Sequence, residues 1–365
     1  MPPTAAPTES DPDVGNPQVP LDHRRSLYET MVLSRVFETE AERQYKAAKI
    51  GGYCHLSSGQ EATSVGVVAA MEPEDILVTG YRCHGFALAK GLSADSVMAE
   101  LFGREDGCAH GRGGSMHIMD VGSNFYGGWG IVAGQLPVAT GLALGLVRQG
   151  RDQAVVCELG DGAVNMGAWH ESLNLASLWN LPIVFLVVNN VYGMGTSVER
   201  ASAEPDIYKR AASYRMAGER VDGNNLDAVI EATGRLLKIA REDRRPAVLE
   251  TMTYRYRGHS VADAGLAYRT KEEVAARREN GDPLTRERAR LAAQGLTDED
   301  FDRIDDEAKR VVAAAVEFAD ASPEPAVETL AAGMYAPGSA EQFERMRPGS
   351  PFGEEALTFD SGLGR

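Results

Sequence analysis

Apolar and polar positions alternate along the chain with two periods, and the switches between them mark out the elements. From Arg25 to Lys49, Leu27, Met31, Leu33, Val36 and Phe37 recur at helical spacing. A second helical stretch follows Gly59, from Gln60 to Met71, and Ile76–Thr79 then reads as a short buried strand ending at Gly80. Residues 103–135 are crowded with glycine and show too little periodicity for helix or strand, so they predict a long functional loop. Past it, Leu136–Val147 returns to a helical pattern, Ala154–Leu159 to a strand stopped by Gly160, and Asn165–Trp179 to a helix. Pro182 precedes an uninterrupted apolar strand, Ile183–Val188. Strand, helix and strand in so short a span make the βαβ unit of a parallel sheet. Ala247–Thr251 predicts another strand, and the charged, alanine-rich stretch from about 271 to 333 predicts helices.

This pattern implies an α/β fold, a parallel sheet with helices on both faces and a helical C-terminal extension. The expected organisation is a tail over 1–24, one domain over 25–335, and a second extended tail over 336–365. Of the 365 residues, 37 are basic and 53 acidic, giving a formal net charge of −16. That balance argues against nonspecific binding to nucleic acid or to an anionic membrane surface. It also means that a site for a polyanion must be built locally, from a metal or a few placed cations. The four cysteines (Cys54, Cys83, Cys108, Cys157) show no C-x-x-C spacing and suit reduced thiols. With no secretory signal in view, and no apolar run longer than Ile183–Val188, the expectation is a soluble, cytoplasmic protein.

The βαβ unit locates the candidate chemistry. Gly160-Asp161-Gly162 falls just past the carboxyl end of one strand and Asn189-Asn190 just past the next. In open α/β sheets, ligands bind in crevices at those ends. Asp161 offers a carboxylate oxygen, Asn190 an amide oxygen, and the chain just after it a backbone carbonyl. Three oxygen donors with positions left open suit Mg²⁺, which usually completes its octahedron with phosphate and water. The glycines allow a diphosphate to approach the backbone, and the helix that follows would present its positive end.

The G-D-G followed about thirty residues later by N-N resembles the thiamin diphosphate motif. The resemblance extends over roughly residues 25–335 through GYCHLSSGQEA (52–62), GYRCHGF (80–86), NFYGGWGIV (124–132), VYGMGTSVER (191–200), TYRYRGHS (253–260) and AYRTKEEV (267–274). These motifs are similar to the alpha subunits of the thiamin-dependent 2-oxo acid dehydrogenases, most closely the two-subunit pyruvate type. The resemblance implies that Asp161, Asn190 and the main chain of Tyr192 hold Mg²⁺, and that Gly162 and Ala163 lie along the diphosphate. It implies that Tyr81, Arg82 and His259 contact the phosphates, and that main-chain groups of Gly130, Ile131 and Val132 meet the aminopyrimidine ring. His55 and His84 match histidines of the reacting end, where a pKa near neutrality would serve proton relay; His259, on the phosphate side, is counted with them as catalytic, and His117 lies less firmly within a family motif. Tyr53 and Met166 would shape the substrate pocket.

The implied chemistry is oxidative decarboxylation of a 2-oxo acid, with the cofactor's ring accepting the electrons of the departing carbon dioxide. The glutamate that activates the ring belongs, in this family, to a beta subunit. The chain should therefore be inactive alone and work in an α₂β₂ heterotetramer that passes its acyl group to the lipoyl arm of an acyltransferase. Acetoin and branched-chain 2-oxo acid dehydrogenase alpha subunits share the cofactor and fold, and a scaffold without turnover is the non-enzyme alternative. Three positions depart from the pyruvate type: Met166 stands for glutamine, Trp129 for a smaller polar residue, and Arg257 where some members have histidine. Ser197 and Ser260 fall on loop positions phosphorylated in mitochondrial members, and Ala267 fills the third.

Overall fold

The structure, a computed structural model, describes residues 19–330. Six strands form one sheet: β1 (Ile76–Gly80), β2 (Phe125–Trp129), β3 (Val155–Gly160), β4 (Ile183–Asn189), β7 (Ala217–Asp222) and β8 (Ala247–Met252). Their order is β2-β1-β3-β4-β8-β7, with every neighbouring pair parallel. A separate small hairpin pairs β5 (Tyr192–Gly193) with β6 (Thr196–Ser197).

Alternate residues of the strands feed two cores. Val155, Cys157, Leu159, Ile183, Phe185 and Val187 pack against α5 (Gln135–Arg148) and α6 (Gly167–Leu178), through Leu136, Ala139, Trp169 and Leu173. Val156, Val184, Leu186, Val188 and Leu249 point the other way, onto Val229 and Leu236 of α8 (Leu226–Glu242) and Val97 and Met98 of α4 (Ala94–Leu101). Burial on both faces explains why β4 reads as a continuous apolar run, since a strand covered on both sides has no polar side to present. Phe37 of α1 (Leu21–Lys46) joins the second core, as does α3 (His84–Ala89). The short α2 (Glu61–Ala70) shares a further cluster with α1 and α8 through Ala62, Met31 and Leu226. The helices predicted after 271 are α9 (Lys271–Gly281), α10 (Pro283–Ala293) and α11 (Asp298–Ala321). Capping explains their boundaries, because Thr270, Asp282 and Thr297 each accept a first-turn N–H. The four-residue α7 (Val198–Ala201) follows β6.

Several expectations are corrected. Helix α1 begins at Leu21 and Val19 is already buried, so the folded body starts before residue 25. At the other end the first compact unit closes at Glu324, short of 335, where Pro323 and Pro325 follow the end of α11. The second unit, from Pro325, contributes one described turn at Val327–Thr329; residues 1–18 of the tail expected over 1–24, and all of that expected over 336–365, lie outside the described residues. The glycine-rich stretch is not all loop, because it contains β2. The register between β1 and β2 slips from Leu77↔Phe125 to Thr79↔Gly128, and Gly127 within the slip has φ +92°. The extra residue of that bulge requires glycine, and it hides the period-2 signal. Edge strand β7, AGERVD, carries charge instead of an apolar pattern and was also missed.

Candidate active site

The connection leaving β1 runs to β2 on one side, and that leaving β3 runs to β4 on the other. The strand order therefore reverses between β1 and β3, which is where an open parallel sheet forms its ligand crevice. Asp161 follows β3, Tyr81 and Arg82 follow β1, and Asn190 follows β4, so the crevice gathers them at one edge.

Asp161 is buried at the start of a short 3₁₀ turn, Asp161–Asn165. Its carboxylate accepts from the Asn190 backbone N–H at 3.3 Å, and burial pushes its pKa up to about 6. Gly162 and Gly193 press together, because a Cβ on Gly162 would lie 3.2 Å from the Gly193 Cα. That contact brings the Asp161 turn against the β5 hairpin, and Gly162 stays exposed. Ala163 is buried behind it. The helix expected from Asn165 begins at Gly167 instead, and its N-cap residue Met166 makes no side-chain cap; its carbonyl accepts the Trp169 N–H at 3.1 Å.

Two guanidinium groups define the electrostatics. Arg82 is buried and donates to the Leu56 carbonyl at 2.6 Å and the His259 carbonyl at 2.9 Å. Arg255, also buried, donates to Asn190 Oδ1 at 3.1 Å and to the Tyr192 carbonyl at 3.0 Å. Among the described residues neither forms an ion pair with a carboxylate. Burial lowers the pKa of Arg82 to about 10, and the neighbouring Arg255 charge adds to the effect. A buried charge without a counterion is costly, so this pair is built for an anion supplied from outside the chain.

Three rings cluster beside Arg82, tilted or edge-on to one another. The His55 centroid lies 4.5 Å from Tyr81 and 5.0 Å from His259, and Tyr53 stands 6.3 Å from His55. Burial, reinforced by Arg82, lowers the pKa of His55 to about 3 and of His259 to about 4. This corrects the expectation of histidines titrating near neutrality: in the free chain both imidazoles are neutral at physiological pH. The Nδ1 atom of each is buried without a hydrogen-bond partner, as befits a cradle that a bound group completes. Added polyphosphate would offset Arg82 and raise both pKa values. The imidazole Cε1–H resonances of His55 and His259 should show no titration between pH 5.5 and 8 in the free chain, and should titrate at higher pH once inorganic pyrophosphate is bound. Titration near pH 6.5 in the free chain would contradict the described burial.

His84 is not part of this cluster. It is wholly buried, with Nδ1 2.9 Å from Glu38 Oε2 and Nε2 2.8 Å from Ser115 Oγ. Glu38 also accepts from the backbone and hydroxyl of Ser57 at 2.7 and 2.6 Å. In the free chain His84 thus occupies an interior position, with both ring nitrogens engaged. Trp129 packs, partly buried, toward the α5 side and donates its Nε1–H to the Tyr126 carbonyl at 3.2 Å.

Gly130 donates its N–H to His117 Nε2 at 3.3 Å, and the next two side chains, Ile131 and Val132, project outward, Ile131 at 75% exposure. Tyr53, Met166, Met194 and Leu266 are also exposed. All these residues sit on loops at the carboxyl edge of the sheet, around the crevice. Exposed apolar side chains rimming a polar site mark an interaction surface. Arg257 makes an ion pair with Glu42 at 2.7 Å, while Ser260 is buried and Ser197 precedes α7. A pocket of about 350 Å³ lies beneath the 256–274 loop beside Glu42 and Lys46; its lining includes Ser260 but not Asp161, Asn190 or Arg82.

Sequence reasoning gave no role to Arg255, Asp263, Glu273 or Glu158. Asp263 accepts from the His259 N–H and the Tyr268 hydroxyl, both at 2.7 Å, and so fixes the loop that carries His259. Glu273 of α9 accepts from the Tyr192 and Tyr254 hydroxyls at 3.1 and 2.8 Å, tying the β5 hairpin down. Glu158 accepts from the Gly80 N–H at 2.8 Å, and burial raises its pKa to about 7. Arg255 lay inside a quoted motif, but only the fold brings it to Asn190, 65 residues earlier.

Comparison with known proteins agrees with this geometry. Residues 28–328 match the dehydrogenase E1 component family. A pyruvate dehydrogenase E1 component subunit alpha from Rhizobium meliloti is 45% identical over 304 residues, covering 83% of this chain and 87% of its own. The human somatic mitochondrial form of that subunit is 44% identical over 309 residues, covering 84% of this chain and 78% of its own. The human testis-specific form is 42% identical over 322 residues, covering 88% and 82%. With most of its length matched and its crevice at the switch point of a parallel sheet, the chain belongs to the dehydrogenase E1 component family.

Proposed function

We propose that this chain is the alpha half of a pyruvate dehydrogenase E1 component, which binds thiamin diphosphate through Mg²⁺ and works only with a beta subunit. The observation that carries the reading is the convergence of two buried, carboxylate-free guanidiniums, Arg82 and Arg255, on the buried Asp161. A diphosphate supplies the negative charge that this arrangement lacks. Mg²⁺ would take Asp161, Asn190 Oδ1 and the Tyr192 carbonyl. All three are oxygen donors, the chemistry that Mg²⁺ prefers. Gly162 and the start of α6 would lie along the phosphates.

When bound, the cofactor supplies the electron sink for decarboxylation. The chain's own part is positional. Gly130–Val132 offer main-chain groups to the cofactor's pyrimidine, while Tyr81, His55 and His259 wall one side. His55 and His259, neutral before loading, would accept protons once the anion has raised their pKa. Tyr53 and Met166 would border the 2-oxo acid. The exposed apolar rim of Tyr53, Ile131, Val132, Met166 and Met194 supports burial against the beta subunit, in an α₂β₂ assembly that delivers its acyl group to a lipoyl-bearing acyltransferase. We place the protein in the cytoplasm, where unpaired thiols such as Cys54 and Cys83 persist.

The test is 2-oxo-acid-dependent reduction of an artificial electron acceptor, with Mg²⁺ and thiamin diphosphate present. Turnover is expected with pyruvate and only when a beta subunit is added. Preference for acetoin or branched-chain acids would reassign the substrate, and turnover by the chain alone would refute the two-subunit site.

A further inference from the structure

Arg255 is held by more of the site than any other side chain. Its Nη1 reaches Asn190 Oδ1 at 3.1 Å and the Tyr192 carbonyl at 3.0 Å; Nη2 reaches the Met194 carbonyl at 3.2 Å and the Tyr268 hydroxyl at 3.1 Å. Its Nε donates to the Arg257 carbonyl at 3.2 Å. One planar fork thus joins the turn after β4 to the loop that carries His259, and the group is 1% exposed. Two of the oxygens it binds are those assigned above to the cation, so this inference rests on that placement.

We infer that Arg255 makes cation binding conditional on the diphosphate. The fork keeps the Asn190 and Tyr192 oxygens turned toward one point, which favours a metal. Its fixed charge opposes one. With Arg82 nearby, the crevice holds two guanidiniums, neither ion-paired; Asp161 is the carboxylate of the donor set, while Glu158 on the Gly80 N–H and Asp263 behind the Tyr268 hydroxyl act from further off. A bare divalent ion placed beside Asn190 Oδ1 would face an unneutralised positive charge in a medium of low dielectric. A diphosphate offsets both guanidiniums and the ion together. The site therefore refuses the metal alone and takes the metal–diphosphate pair, which guards it against loading with an ion that has no cofactor.

The experiment measures Mn²⁺ binding by electron paramagnetic resonance in the chain reconstituted with its beta subunit, with and without thiamin diphosphate. The relevant signal is the part lost in an Asp161→Ala complex. Wild type should bind Mn²⁺ at least ~10-fold more weakly without the diphosphate. Arg255→Gln should bind bare Mn²⁺ at least ~10-fold more tightly than wild type, narrowing that gap. Arg255→Lys, which keeps the charge and loses the fork, should stay as weak as wild type for bare Mn²⁺. In both variants trypsin should cut faster at Arg257, because the ties to Met194 and Tyr268 are gone. Unchanged or weaker bare-ion affinity in Arg255→Gln would overturn the inference, and so would a tighter Arg255→Lys, an arm that decides even if the glutamine variant fails to fold. Should wild type take up no Asp161-dependent Mn²⁺ even with the diphosphate, the metal placement itself is wrong, a result separate from either Arg255 outcome.

Discussion

Replacing Asp161 with asparagine should lower the affinity for thiamin diphosphate in the presence of Mg²⁺ by about 100-fold or more, and turnover with it, while the fold is retained. The carboxylate is the only anionic oxygen in the proposed donor set, the other two being the Asn190 amide and the Tyr192 carbonyl. Asparagine keeps the size and an acceptor for the Asn190 N–H at 3.3 Å, so the turn after β3 stays intact. It removes the charge that draws a hard cation into a crevice already holding Arg82 and Arg255. Loss of a charged partner at a buried polar site costs about 3–5 kcal/mol, which covers that factor. Removing a buried carboxyl whose pKa is raised to about 6 also relieves a burial cost, so the variant's melting temperature should not fall. Isothermal titration of the reconstituted complex with cofactor, beside a thermal melt, checks both halves. Unchanged affinity with an unchanged melt would remove Asp161 from the cation.

Glu38→Ala should cost about 3–5 kcal/mol of stability, the second large effect. Burial alone would push the Glu38 carboxyl up, yet His84 and Ser57 together hold it below the usual carboxylate range, so the anion is stabilised where it sits. Its alanine replacement would strand three donors in a dry interior: the Ser57 N–H, the Ser57 hydroxyl and His84 Nδ1. Because the folded pKa is depressed, this contribution is present above the unfolded value near 4.5 and is lost as pH falls through the folded one. Urea melts at pH 7 and pH 4 should therefore show a large deficit in the variant at pH 7 that shrinks at pH 4. His84→Gln, measured alongside, should share the stability loss in milder form. A pure activity defect in His84→Gln with an unchanged melt would place His84 at the reacting end.

The central part of the fold was legible because β4 and β3 are covered on both faces and so advertise themselves as apolar runs. The edge strands were not: β2 is broken by a bulge at Gly127, and β7 carries the charged Glu219 and Arg220, paired with Arg235 and Asp206, in place of an apolar pattern. The same contrast divides the site. Asp161 and Asn190 announce themselves through chain spacing and strand ends. Arg255 and Glu158 do not, since their importance comes from what the sheet places beside them. For His55, His84 and His259 the motif located the residues, but their state depends on burial and on Arg82, which no local pattern carries. Chain spacing alone does not separate His84, locked against Glu38, from His55, buried among the rings of Tyr81 and His259 with Nδ1 unpartnered.

Parallel pairing also sets a timetable for synthesis. Strand β4 is flanked by β3, made earlier, and by β8, made later; Asn189 meets Glu250 across that pairing, 61 residues downstream. At roughly 5–20 residues per second, Ile183–Asn189 spends roughly 3–12 s on the ribosome with one edge unpaired. A run as apolar as IVFLVV with a bare edge is the kind of segment that adds to a neighbouring chain. Nascent chains crowded on one message would meet at that strand before β8 arrives to cover it, so slow translation between Asn190 and Ala247 lengthens the interval of greatest hazard.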